Sequence, residues 1–495
     1  MKKAFNKFAP YVIPIAILLG TLVVLAPLVS HHSLFHDEAV YLSKARAWIE
    51  GTPSDEFKLY RPVGMAALGW IALKFGNSEP AVRVFGVIFG AVVGLLIYFA
   101  FKKIFNREIA VGTAAIILSS SLFLKQAPLF LNDILSSGLL IAILWLVYLN
   151  YESAGKNKLI YLAAPLAAFA FYIRYGVAIT LMVAAVISAL ILVFSFVKKP
   201  KRSFVALRNT GFFAAGLLAP HFIYSFVTTK SLFGILQLAG KAAGRKYFGE
   251  GLITYIKWLP SELGGWLLGI AAILGVATTL LLVFKKDWRQ RYLTLIWIGC
   301  VGIVSFAATG FLVHAEARYV FFPVVLLAAV GVAGAYHLAR SRSLALANSL
   351  IVVLVAVSAF AGFANYQETK FAFKRREGER YHLAYVEASR AIRNDSIGKG
   401  GGCGVWSILF RPAISWYSEC HTPELVTMSG FEKEFINNPG LAEYSLVFTK
   451  LKDRQVSPNE SERFGVELSE IFRAKGLDYG DLVAYRVKKT TWLKK

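Results

Sequence analysis

The run His36-Asp37-Glu38-Ala39-Val40-Tyr41 sets two adjacent carboxylates directly after the first long apolar stretch. A carboxylate at that boundary can take the proton of an acceptor hydroxyl. Adjacent residues on a helix point different ways, so one acid can act as base while the other orients or pairs. Either can instead N-cap the helix that begins near Ala39, a role Asp fills well.

Four further stretches carry candidate polar groups. Tyr60-Arg61-Pro62 offers a guanidinium suited to an anionic phosphate through charge and a bidentate fork, or simply a snorkelling arginine. Asn132-Asp133 opens the fourth apolar run and offers a second acid or an N-cap. Arg174 is a lone cation between the fifth and sixth runs. His314-Ala315-Glu316-Ala317-Arg318-Tyr319 is a compact polar island, and a helical spacing would set His314 and Arg318 on one face.

The elements that must position these groups are membrane spans. The chain has 495 residues, 56% hydrophobic and only 17% charged, with a mean hydropathy of +0.55; soluble domains run at roughly 25% charged. Eleven apolar segments are expected, roughly 10–30, 82–101, 109–123, 133–150, 159–173, 176–197, 209–228, 264–284, 292–312, 319–338 and 344–364. The first follows Lys2, Lys3 and Lys7 and is too long for a typical signal-peptide core, so it reads as a retained helix. The formal charge of +24 does not indicate nucleic acid, because the basic residues cluster in short loops between apolar runs. Six alternate basic segments, from Lys2/Lys3/Lys7 to Arg340/Arg342, fall on one side, which is therefore cytoplasmic. The loop 31–81, residues 124–132, Arg174, the loop 229–263 and the tail from 365 then lie outside, and the candidate polar groups gather at that one face.

Loop 31–81 reads as two helical stretches, 39–49 and 62–75, of the Trp-bearing amphipathic kind that lies along an interface or covers a bundle. Loop 229–263, rich in Lys241, Arg245, Lys246, Tyr247, Lys257 and Trp258, breaks the charge bias with its basic residues, which suits either binding of a phosphate headgroup or anionic acceptor or plain docking on lipid headgroups. Beyond Asn365 charges become dense, a helix-like stretch runs to Arg393, and the Gly398–Gly402 turn follows. Strand-like runs at 404–409, 444–449 and 482–486 mix with helical pieces near 411–418 and 462–475. The expected architecture is thus an α-helical polytopic membrane protein with a transmembrane domain, 1–364, and a small extracytoplasmic α/β domain, 365–495. Cys403 and Cys420 could bridge there, and Cys300 reads as a small buried hydrophobe.

His36-Asp37-Glu38-Ala39-Val40-Tyr41, Tyr60-Arg61-Pro62 and the stretch from Phe75-Gly76-Asn77 to Val82-Arg83 together resemble the N-terminal half of the GT-C glycosyltransferases. The branch is that of the protein O-mannosyltransferases and the lipid A aminoarabinose transferase. Asn132-Asp133 is similar to that family's second acidic motif, and Glu316-Ala317-Arg318-Tyr319 to its later Arg-Tyr motif. The resemblance covers roughly 10–340. It implies transfer of a sugar from a polyprenyl-phosphate donor to a protein, glycan or lipid acceptor on the outer face, with inversion. Asp37 would be the catalytic acid position, with Glu38 beside it. Arg61, Arg318, Tyr319 and Arg174 would hold the donor phosphate, and Asp133, Tyr41, Tyr60, His314 and Glu316 would meet sugar or acceptor. One departure is Val40, where aminoarabinose transferases carry an arginine, which argues against that specific activity.

An inverting transfer needs one base and a stabilised leaving phosphate rather than paired catalytic carboxylates. The activated donor makes a nucleotide loop unnecessary, and no GxxxxGK[ST] or GxGxxG is present. No cofactor is required; a divalent metal is left open by His31, His32, His36 and His314, whose spacing is not diagnostic. Two alternatives stand beside this reading, an oligosaccharide polymerase or ligase and a transporter of a lipid-linked or anionic solute. Transporters usually gather polar groups near the midplane of two matching halves, a pattern this sequence lacks.

Overall fold

The computed structural model describes residues 2–29, 33–194, 200–242, 247–259, 263–285, 292–312, 314–378, 380–397, 403–407, 410–422, 443–450, 466–477 and 480–489. His31, His32, Arg245, Lys246 and the Gly398–Gly402 turn lie outside these residues. The chain forms two compact units, Met1–Val29 with Arg83–Lys370 and Ser30–Val82 with Phe371–Lys495.

The regular elements among the first unit's described residues are all helices, as hydrocarbon requires of a backbone that must satisfy its own polar groups. Eight described helices are long and apolar enough to cross a membrane. They overlap eight of the eleven expected segments, several running past the expected ends. The other three are shorter. Arg107–Leu118 stops where Ser119 and Ser120 intervene and the Ser120 hydroxyl caps a new turn by accepting from Phe123 N at 3.2 Å. The segment at 158–173 spends its first turn as a 3-10 helix, Lys158–Leu162, before Ala163–Ile173, and the third runs Val177–Ile191.

Helices in lipid are held by close packing rather than by a hydrophobic gain. Trp266–Phe284 and Phe321–Arg340 show how this is achieved. A Cβ at Gly275 would stand 1.9 Å from the Leu327 carbonyl oxygen, and one at Gly331 2.0 Å from that of Ala271. Only glycine permits that approach. Helix ends predicted to share a face are tied by ion pairs. Lys103 meets Glu152 at 2.9 Å at one face, and Lys125 meets Glu368 at 2.7 Å at the other.

The second unit contains a four-stranded sheet: β1 (Val405–Trp406), β2 (Tyr444–Phe448), β3 (Val466–Leu477) and β4 (Gly480–Lys489), in the order β1-β2-β4-β3. β1 and β2 are parallel, whereas β4 runs antiparallel to both β2 and β3. Val447, Val483 and Tyr485 form its core. The stretch near 462–475, expected to be helical, contains β3 instead. Its helix-forming Glu, Leu, Ala and Lys are overridden by long pairing with β4, which illustrates the weakness of local propensity against tertiary context. The Arg380–Ile397 helix docks through Asp395, which accepts from Tyr444 Oη at 2.6 Å and from Arg486 Nε at 3.0 Å.

The same unit holds the acidic loop. The helices His36–Glu50 and Val63–Phe75 pack together, and Ala39, Val40, Tyr41, Leu42 and Ala45 are buried. The first of them also packs on the Arg411–Ser418 helix. Cys403 and Cys420 form a disulfide.

Candidate active site

In the loop unit, the first turn of the His36–Glu50 helix separates its two acids by role. Glu38 is fully buried and its Oε2 accepts from Phe35 N at 3.0 Å, closing the helix N-terminus as a capping-box glutamate does. Asp37 faces the other way and meets Arg61 Nη1 at 2.8 Å. Of the two uses open to the acidic pair, the cap falls to Glu38, and Asp37 keeps an accessible carboxylate. Arg61 Nη2 also stands 3.4 Å from His36 Nε2, and its guanidinium lies 5.7 Å from the Tyr60 ring. Burial alone would lower the Arg61 pKa, but the charge and hydrogen bond of Asp37 outweigh it and raise the value above the ordinary one. Tyr41 is buried on the same helix.

The membrane unit assembles the second group. Asp133 lies in the first turn of Asn132–Glu152 and is fully buried. Arg174, the residue that ends the Ala163–Ile173 helix, pairs with its Oδ1 at 2.5 Å. The Asn132 amide donates to the Ile173 carbonyl at 3.4 Å, holding those two helix ends together. Arg318, in the 3-10 turn Ala317–Val320, reaches Asp133 Oδ2 at 3.6 Å and pairs directly with Glu316. Tyr319 supplies the platform: the Arg174 guanidinium stands 4.4 Å over its ring, a cation–π contact. His314 Nε2 lies 3.1 Å from Glu316 Oε1. Two guanidiniums thus converge on one buried carboxylate, with a second acid, Glu316, beside them.

One member of this group carries no signal in the sequence. Tyr255, from the Glu250–Trp258 helix, is fully buried. Its hydroxyl accepts from Glu316 N at 3.1 Å and lies 3.3 Å from the His314 carbonyl. Burial raises its pKa, so it stays a neutral phenol. The basic loop 229–263 therefore contributes a buried tyrosine to the site, while Lys241 and Lys257 stand in the last turns of its two helices. Among the described residues no group of three or more His, Cys, Asp or Glu could hold a metal ion.

Residues 61–224 match the family model described as dolichyl-phosphate-mannose-protein mannosyltransferase. No curated protein matches the chain in sequence. Its structure is similar to that of ArnT from Cupriavidus metallidurans bound to undecaprenyl phosphate, with a TM-score of 0.66 at 13% identity, covering 97% of this chain and 98% of that one. The fold is that of the GT-C membrane glycosyltransferases. The same GT-C fold is shared with the Archaeoglobus fulgidus oligosaccharyltransferase in complex with Zn and sulfate. That likeness has a TM-score of 0.52 at 13% identity and covers 87% of this chain and 67% of the other. The GT-C fold and the run of apolar helices make this a multi-pass membrane protein.

Proposed function

We propose that the protein transfers a sugar from a polyprenyl-phosphate-linked donor to a hydroxyl-bearing acceptor on the extracytoplasmic face, with inversion and with Asp37 as general base. The alternation of basic loops supports an N-terminus in the cytoplasm and the domain from 365 outside. The observation that carries the mechanistic reading is the Asp37–Arg61 pair, a carboxylate and a guanidinium 2.8 Å apart.

Asp37 takes the proton of the acceptor hydroxyl as that oxygen bonds to the anomeric carbon. The bond from the anomeric carbon to the phosphate oxygen breaks on the opposite face, and polyprenyl phosphate leaves with the electron pair. Arg61 is the group to which that phosphate can turn. A phosphodiester oxygen competes for its fork, which frees Asp37 from its resting partner when donor arrives. In the membrane unit, Arg174 and Arg318 carry positive charge, with Tyr319 and Tyr255 fixing their surroundings and the buried Asp133 holding both arginines. Tyr60, His314 and Glu316 are partly exposed polar groups available to sugar or acceptor.

The test is a donor panel on purified protein in lipid nanodiscs. Polyprenyl-phosphate sugars should be consumed and the sugar recovered on acceptor with its anomeric configuration inverted. Nucleotide sugars should give no product. Vectorial movement of the lipid-linked sugar without a new glycosidic bond would replace this reading with a transporter.

A further inference from the structure

The base and its partner come from different pieces of chain. Asp37 sits on a helix and Arg61 24 residues later at the end of an irregular loop, so their 2.8 Å contact requires both pieces to be held. The structure assigns that task to the segment Arg411–Thr422, whose side chains and backbone hold the chain on both sides of the pair. This inference rests on the role proposed above for Asp37 and Arg61, and it adds positioning residues to that reaction.

The helix side is gripped twice. Leu34 N, three residues before Asp37, donates to Tyr417 Oη at 3.1 Å. Nine residues after Asp37, Arg46 donates to the Trp416 carbonyl at 2.7 Å, and its guanidinium lies 3.3 Å from the centre of the Trp416 ring. Arg46 is almost fully buried and pairs with Glu419 at 3.5 Å. The first grip lies two residues before the helix starts and the second more than two turns into it, at ~1.5 Å of rise per residue, so both its start and its tilt are fixed.

The loop side is held by the end of the same segment. Asp55, six residues before Arg61, accepts from Thr422 N at 2.9 Å and lies 3.1 Å from His421 Nδ1. Glu56 pairs with Arg411 at 3.2 Å. The segment is itself clasped. Cys420 is bonded to Cys403, and Val405 N and His421 N exchange hydrogen bonds with the His421 and Cys403 carbonyls, both at 2.7 Å. A base displaced by ~1 Å can lose about two orders of magnitude in rate, so a rigid template has a kinetic use here that burying apolar surface would not require.

The experiment is a double-mutant cycle with a structural arm. Asp55→Ala and Tyr417→Phe are each made in wild type and in Arg61→Gln. Turnover, acceptor KM and amide exchange over residues 33–61 are measured on the same full-length preparations. Asp55→Ala should lower kcat about tenfold with KM within about twofold, and Asp55→Glu should recover part of the loss. In the Arg61→Gln background the same change should cost less than about twofold, because contacting groups that act as a unit are not additive. Exchange at 51–61 should quicken in Asp55→Ala, and at the start of the His36–Glu50 helix in Tyr417→Phe. Equal losses in both backgrounds, or unchanged exchange, would overturn the assignment. If wild type transfers no sugar, the proposed function fails, and the exchange arm alone still decides whether this segment holds the loop.

Discussion

Two carboxylate–arginine groups occupy the two units of this chain, and they differ in one respect above all. The Asp133 side chain is 1% exposed and shared between Arg174 and Arg318, whereas Asp37 and Arg61, paired at 2.8 Å, are 22% and 20% exposed. A buried carboxylate carrying two guanidiniums is committed. Removing it leaves positive charge without compensation in a low-dielectric surrounding. The Asp37–Arg61 pair is mostly buried but keeps part of each side chain open to solvent, where an incoming anion can reach it. The same residue types therefore suit different work. The Asp133 group holds helix ends and arginines in place, and the Asp37 pair can open, exchange partners and accept a proton.

The largest expected effect follows from that contrast. Asp133→Asn should destabilise the membrane unit by about 3–5 kcal/mol, read as a fall in thermal midpoint and in folded yield. Asp133→Asn combined with Arg174→Gln should be milder than Asp133→Asn alone. A fully stable Asp133→Asn protein would erase the distinction between the two groups. Arg61→Lys should behave in the opposite way. Folding stability should stay within about 1 kcal/mol of wild type because the charge is kept, while turnover falls roughly tenfold as the bidentate fork is lost. A stability loss comparable to that of Asp133→Asn would show that the Asp37–Arg61 pair is structural too.

Much of this arrangement was legible from residue order. Hydropathy and the six basic loops located the spans, since both follow from the thickness and one-sidedness of a bilayer. Asp37, Arg61, Asp133, Arg174 and the 314–319 island stood out because ionisable residues beside long apolar runs need a reason. The roles within the acidic pair were not legible, because Asp37 and Glu38 are equally good caps and only the fold turns one inward. Tyr255 was invisible for another reason: its partners are 59 and 61 residues away. The template at 411–422 meets the chain it holds through contacts such as Leu34–Tyr417, 383 residues apart, and Asp55–Thr422, 367 apart. Local periodicity carries no information on such pairings, and it misreads β3, whose strand character comes from β4 rather than from its own composition.

The central claim is that Asp37 is the base, and one measurement addresses it directly. Wild type and Asp37→Asn would be compared in nanodiscs for single-turnover sugar transfer and for binding of the polyprenyl-phosphate donor. The account predicts that transfer falls on the order of 10²–10⁴-fold, the usual worth of a positioned general base, while donor affinity changes by only a few fold. Transfer by Asp37→Asn within about tenfold of wild type would contradict it and move the base to another residue.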